Sequence, residues 1–108
     1  MARTYSPQTI DALGLLGARI AIARRQRRWT HNALAERAGI SRQTLHHIER
    51  GNPKVAIGTV FEVATLLGVP LFSADATSVG RLLANAEDRL ALLPAHVYET
   101  SSQVNDDF

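Results

Sequence analysis

The stretch from Thr30 to Gly51, THNALAERAGISRQTLHHIERG, constrains the fold more than any other part of the chain. It reads as two short helices joined by a tight turn. A hydroxyl residue precedes each helix, Thr30 and Ser41, where a side-chain oxygen can accept from an unpaired backbone N–H. Gly39 supplies the positive φ that the turn between them needs, and Gly51 stops the second helix. On the first helix Leu34, Ala35 and Ala38 face inward, and the alanines are small enough for the next helix to cross closely. Ile40 fills the corner, and Leu45 and Ile48 are the inward positions of the second helix. Arg42, Gln43, Thr44, His46, His47 and Arg50 are left facing outward. Helices this short are marginal alone, so the flanking chain must supply their core.

On the amino-terminal side, residues up to Tyr5 form a loose arm, and Ser6-Pro7 has the form of an N-cap followed by proline at the first helical position. Ile10, Leu13, Gly17, Ile20 and Ala21 then recur at three- and four-residue steps and mark one buried stripe. Gly14 and Gly17 weaken this helix by about 1 kcal/mol each, or else let a neighbouring helix approach. The helix ends in Arg24-Arg25-Gln26-Arg27-Arg28, where cations complement the negative end of the helix dipole. A phosphate clamp is the functional reading of the same cluster. Trp29 serves core or rim packing, since no other aromatic residue lies near it.

On the other side, Asn52-Pro53 forbids continuation of the second helix. A fourth helix begins at Gly58 or Thr59, carries Val60, Phe61, Val63, Ala64, Leu66 and Leu67, and ends at Gly68. Val69 to Phe72 then returns two large apolar side chains to the core. Asp75 to Ser78 offers N-caps for a last helix, whose apolar stripe is Val79, Leu82, Leu83, Ala86, Leu90 and Leu93. Pro94 breaks it. The expected fold is all-α: five helices, with residues 1–73 as the core unit and its arm. Residues 74–94 form an amphipathic helix that seals the core or pairs two copies, and 95–108 a flexible acidic tail.

Composition narrows the function. Apolar residues make up 45% of the 108, enough for one small core. No apolar run approaches the twenty or so residues of a membrane span, and the first residues lack an apolar signal core, so a cytoplasmic protein is expected. There is no cysteine for a disulfide or a thiolate metal site. The charge is segregated: through Ile57 ten basic residues face three acids, and from Gly58 onward two face seven. Eleven of the twelve basic residues are arginine, whose planar fork suits phosphate and guanine better than the point charge of lysine. A merely solvated surface would not predict such segregation, and a nucleic-acid partner accounts for it better.

Catalysis finds few candidates. There is no glycine-rich phosphate loop, no GxSxG and no HExxH. His46 and His47 adjoin, but neighbouring helical residues point about 100° apart, and without a thiol they make a poor metal site. Neither an enzyme nor a cofactor or metal site is expected. DNA recognition fits better. Arg42, Gln43, His46 and His47 stand where the second helix of such a pair meets base edges, arginine pairing with guanine O6 and N7 and glutamine with adenine N6 and N7. Thr30, His31, Ser41, Thr44, Arg28, Arg50, Asn52 and Lys54 are the candidates for phosphate contact.

These motifs carry a resemblance. Leu34-Ala35, Gly39-Ile40-Ser41, Thr44-Leu45, Ile48-Glu49, Gly51 and Leu67-Gly68, within about Leu13 to Phe72, resemble the Cro/repressor-type (Xre-like) helix-turn-helix family. The resemblance implies that the second and third helices are the DNA-reading pair. It also implies base or groove contacts at Arg42, Gln43, His46 and His47, and backbone contacts at Ser41 and Thr44. His31 departs from the family, which usually has glutamine there to brace the recognition helix. Gly58 to Ala64, Leu67 to Phe72, Ala91-Leu92-Leu93-Pro94 and the ending Asp106-Asp107-Phe108 are similar to HipB-like antitoxins. That likeness implies a homodimer reading a near-palindromic duplex, repressing its own operon and binding a HipA-like serine/threonine kinase toxin. A stand-alone regulator, or an interaction module that kept the fold without DNA binding, are the alternatives.

Overall fold

The structure, a computed structural model, describes residues 3–72 and 78–97. The acidic tail beyond residue 97 and the caps expected at Asp75 to Thr77 lie outside the described residues. Five helices are present and no strand among the described residues: α1 (Pro7–Gln26), α2 (His31–Ala38), α3 (Arg42–Glu49), α4 (Ile57–Leu66) and α5 (Val79–Ala91). The chain divides into two compact units, Met1–Ala76 with α1 to α4 and Thr77–Phe108 with α5.

The helix starts follow local chemistry. Ser6 Oγ accepts from Thr9 N–H at 3.3 Å, with Pro7 at the first helical position. Thr30 Oγ1 accepts from Ala33 N–H and Ser41 Oγ from Thr44 N–H, both at 3.0 Å. Gly39 adopts φ 69°, the left-handed conformation that closes α2 and lets Ser41 begin α3 two residues later. The start of α4 differs from expectation. It begins at Ile57, ahead of Gly58, with Ala56 as an N-cap that makes no side-chain hydrogen bond.

The core joins Ile20 of α1, Leu34 and Ala35 of α2, Leu45 and Ile48 of α3, Val63 and Ala64 of α4, and Leu67 and Val69 after it. α1 and α2 both pack on α3, and α2 also packs on α4. The stripe read along α1 is partly corrected: Gly17 and Ile20 are buried, Ile10 is 45% exposed, and Arg24 lies inside. On α4, Val63 and Ala64 are buried while Leu66 faces out. In the second unit α5 has no buried residue; Leu82, Leu83 and Leu90 of its apolar stripe are exposed.

The two helical glycines of α1 have different roles. A Cβ at Gly17 would stand 2.5 Å from the carbonyl oxygen of Ile48 and 2.7 Å from that of Glu49, so glycine there lets α1 meet the end of α3 backbone to backbone. A Cβ at Gly14 would meet nothing within 4 Å. Gly17→Ala should therefore destabilise the fold by separating α1 from α3. Gly14→Ala should stabilise it by up to about 1 kcal/mol through helix propensity. Urea unfolding of the two variants beside the parent chain checks this pair of opposite signs.

Candidate nucleic-acid interface

α3 carries the candidate surface because its eight residues are strongly two-sided. Leu45 and Ile48 are 0% and 3% exposed, three residues apart on the inner face. On the outer face Arg42, Gln43, His46 and His47, together with Arg50 just past the helix, line one open concavity of about 550 Å³. All four expected base readers are therefore brought together, and Arg50 joins them. Arg28, Thr30, Ser41, Thr44, Asn52 and Lys54 do not line this concavity. Ser41 and Thr44 spend part of their capacity on each other, because the Ser41 hydroxyl donates to Thr44 Oγ1 at 2.8 Å. Of that pair, Thr44 keeps its own O–H free to donate.

Behind the outer face lies a buried ion pair that sequence reasoning did not foresee. Arg24 of α1 donates through Nε to Glu49 Oε2 at 2.7 Å and through Nη2 to Oε1 at 3.2 Å, a two-pronged contact. The side chains are only 7% and 10% exposed. A third Arg24 bond, from Nη1, goes to the Trp29 carbonyl at 2.9 Å. Arg24 therefore belongs to the interior, and the reading of the whole arginine cluster as a phosphate clamp is corrected at this residue. Arg27 is likewise engaged, donating to the Leu67 carbonyl. Trp29 is a half-buried rim residue, with the Arg37 guanidinium 4.2 Å from its ring centroid. The signal for Arg24 was present in the spacing, since Gly17, Ile20 and Arg24 fall on one helical stripe.

His31, the departure from the family pattern, closes the same network. Its Nε2 lies 3.0 Å from Glu49 Oε1, and its ring stacks on His46 with centroids 4.0 Å apart and planes 28° from parallel. The first residue of α2 thus contacts the recognition helix twice, once at Glu49 inside and once at His46 outside. Burial, then the neighbouring His31, Arg42 and Arg50, hold the His46 imidazole below its usual 6.5, with Glu49 alone opposing. Its ring is therefore neutral at neutral pH, a form that can both donate and accept at a base edge.

This geometry defines a class: a small helical domain that holds one polar, arginine-bearing helix face outward on a braced two-helix unit. Residues 15–74 match the family model of the helix-turn-helix domain, and the chain belongs to that family, with a domain of the Xre/Cro type found in DNA-binding regulators. Comparison with curated proteins found no match. No helix among the described residues is long and apolar enough to cross a membrane.

The ion pair predicts the acid limb of stability. Burial pushes the Glu49 carboxyl up, but the hydrogen bonds from Arg24 and His31, and their charges, hold it below its usual 4.5. A carboxyl lowered by folding stabilises fully above its unfolded value, and that contribution is lost as pH falls through the folded value. Stability should thus drop as pH is lowered below about 4.5. Glu49→Gln should flatten this limb and destabilise the chain at neutral pH, by less than the roughly 3–5 kcal/mol of a fully buried pair, because Arg24 keeps its charge inside without a counter-ion. Urea melts from about pH 7 to 2 measure both effects.

Proposed function

We propose that this chain is a sequence-specific DNA-binding transcriptional repressor acting as a homodimer. In this reading it is the cytoplasmic antitoxin that represses its own operon and binds a HipA-like serine/threonine kinase toxin. The observation that carries the DNA-reading part is the single exposed concavity of Arg42, Gln43, His46, His47 and Arg50 on the second helix of a helix-turn-helix. Arg42 and Gln43, at the N-terminus of α3, are the principal base readers, with His46 and His47 one turn further on. Thr30, His31, Ser41, Thr44, Arg28, Arg50, Asn52 and Lys54 contact the sugar-phosphate backbone and fix register.

Two considerations support a homodimer. One eight-residue helix spans few base pairs, and two copies set about 34 Å apart read successive major grooves of a near-palindrome. The uncovered apolar stripe of α5 offers the pairing surface. The antitoxin role is supported by the likeness of residues 58–72 and of the ending to HipB-like antitoxins, and by the acidic bias from Gly58 onward.

Fluorescence anisotropy on a duplex selected by the chain tests the reading face. Arg42→Ala should weaken binding by about 1–3 kcal/mol and relax preference at one base pair. Lys54→Ala should weaken all sequences alike and lower the salt slope by about one unit. Unchanged affinity in Arg42→Ala beside abolished binding in Arg50→Ala would contradict the face assignment. For the partner, affinity capture from the native host should recover a serine/threonine kinase. Capture of no kinase by a chain that still binds its promoter leaves a stand-alone regulator.

A further inference from the structure

Asn52, just beyond α3, is tied to His47 twice. Its backbone N–H donates to the His47 carbonyl at 2.9 Å, and its side-chain Nδ2 lies 3.2 Å from His47 Nδ1. At the other end of the same amide, Oδ1 lies 2.8 Å from the backbone nitrogen of Lys54. A backbone N–H can only donate, so the amide oxygen faces Lys54 and the amide nitrogen faces His47. That nitrogen has two hydrogens and no acceptor capacity, so His47 Nδ1 must accept. A neutral imidazole has one N–H, and here it sits on Nε2. His47 is also one of the residues lining the α3 concavity.

We propose that Asn52 is a specificity-determining residue that acts through His47: by fixing the Nε2–H tautomer it makes the outward ring nitrogen a donor. This rests on the reading of α3 as the DNA-contacting helix and names a rule for one of its contacts. In the major groove a donor meets N7 and O6 of guanine, N7 of adenine or O4 of thymine. Cytosine offers only its N4 amino group, itself a donor. His47 therefore discriminates against cytosine at the base it meets. Asn52, expected from the sequence to touch phosphate, engages Oδ1 and one Nδ2 hydrogen within the chain, and its second Nδ2 hydrogen is the one available to a phosphate.

Asn52→Asp tests the idea without removing the turn. One carboxylate oxygen still accepts from Lys54 N–H, while the other can only accept from His47, demanding a proton on Nδ1. The neutral ring, read at alkaline pH, then presents Nε2 as an acceptor. Two-bond ¹H–¹⁵N NMR on the free chain should find His47 protonated on Nε2 in the parent and on Nδ1 in the variant. Selection from randomised duplexes should show the parent preferring guanine over cytosine by about three- to tenfold at the position whose preference vanishes in His47→Ala. In Asn52→Asp that preference should collapse or invert, with other positions unchanged.

An Nδ1-protonated parent ring, or wild-type base preference retained in Asn52→Asp, would overturn the inference while leaving DNA reading by α3 intact. A His47→Ala variant weakened equally on all sequences would place His47 at phosphate and overturn it too. A parent chain that enriches no sequence would overturn the DNA reading and this rule with it.

Discussion

One buried carboxylate organises the reading end of this molecule. Glu49 closes α3 and receives Arg24 from α1 and His31 from α2, so three helices meet at a single side chain. An eight-residue helix has little stability of its own. The direction in which α3 points is therefore set by what holds its two ends. Leu45 and Ile48 hold its inner face by burial, and Gly17 lets α1 come close enough for Arg24 to reach Glu49. Burying two charges is costly unless their hydrogen bonds are satisfied. Here the guanidinium also holds the Trp29 carbonyl, and the carboxylate takes His31 as an additional partner.

The same node changes the electrostatic picture of the amino-terminal half. Ten basic residues through Ile57 suggest a broadly cationic surface. Arg24 is inside and Arg27 is committed to a backbone carbonyl, while Arg37 lies over Trp29. The outer face of α3 then carries Arg42 and Arg50, flanking two imidazoles in one concavity. That concavity is a small array of directed donors, while Arg19, Arg25, Arg28 and Lys54 stay exposed elsewhere in the same half of the chain. Directed donors suit base edges, whereas diffuse positive charge chiefly raises nonspecific affinity.

Much of this fold was legible because its signals are local. Ser6, Thr30 and Ser41 cap the helices that follow them, and Gly39 takes the left-handed conformation that the turn required. Leu34, Ala35, Leu45 and Ile48 lie in the core at the positions their spacing implied. Other features were hidden for physical reasons. Ala56 starts α4 without a side-chain cap, so no residue type marked that boundary. Arg24 sits among four other long polar side chains, and only its helical phase separates it from its exposed neighbours. The outward direction of His46 and His47 follows from the helical period. Their partners do not: His31 reaches His46 from another helix, and Asn52 reaches His47 from the chain beyond a glycine. Periodicity tells which way a side chain points, not what waits there.

The central claim is that the outer face of α3 enters the major groove of DNA. Methylation interference with dimethyl sulfate tests it directly, because the reagent marks guanine N7 in the major groove and adenine N3 in the minor groove. On a duplex retained by the chain at low salt, N7 methylation should block binding at a discrete set of guanines, and N3 methylation of adenines within the same site should be tolerated. Interference confined to adenine N3, or no interference at any guanine N7 of a guanine-containing duplex that is bound, would contradict the account.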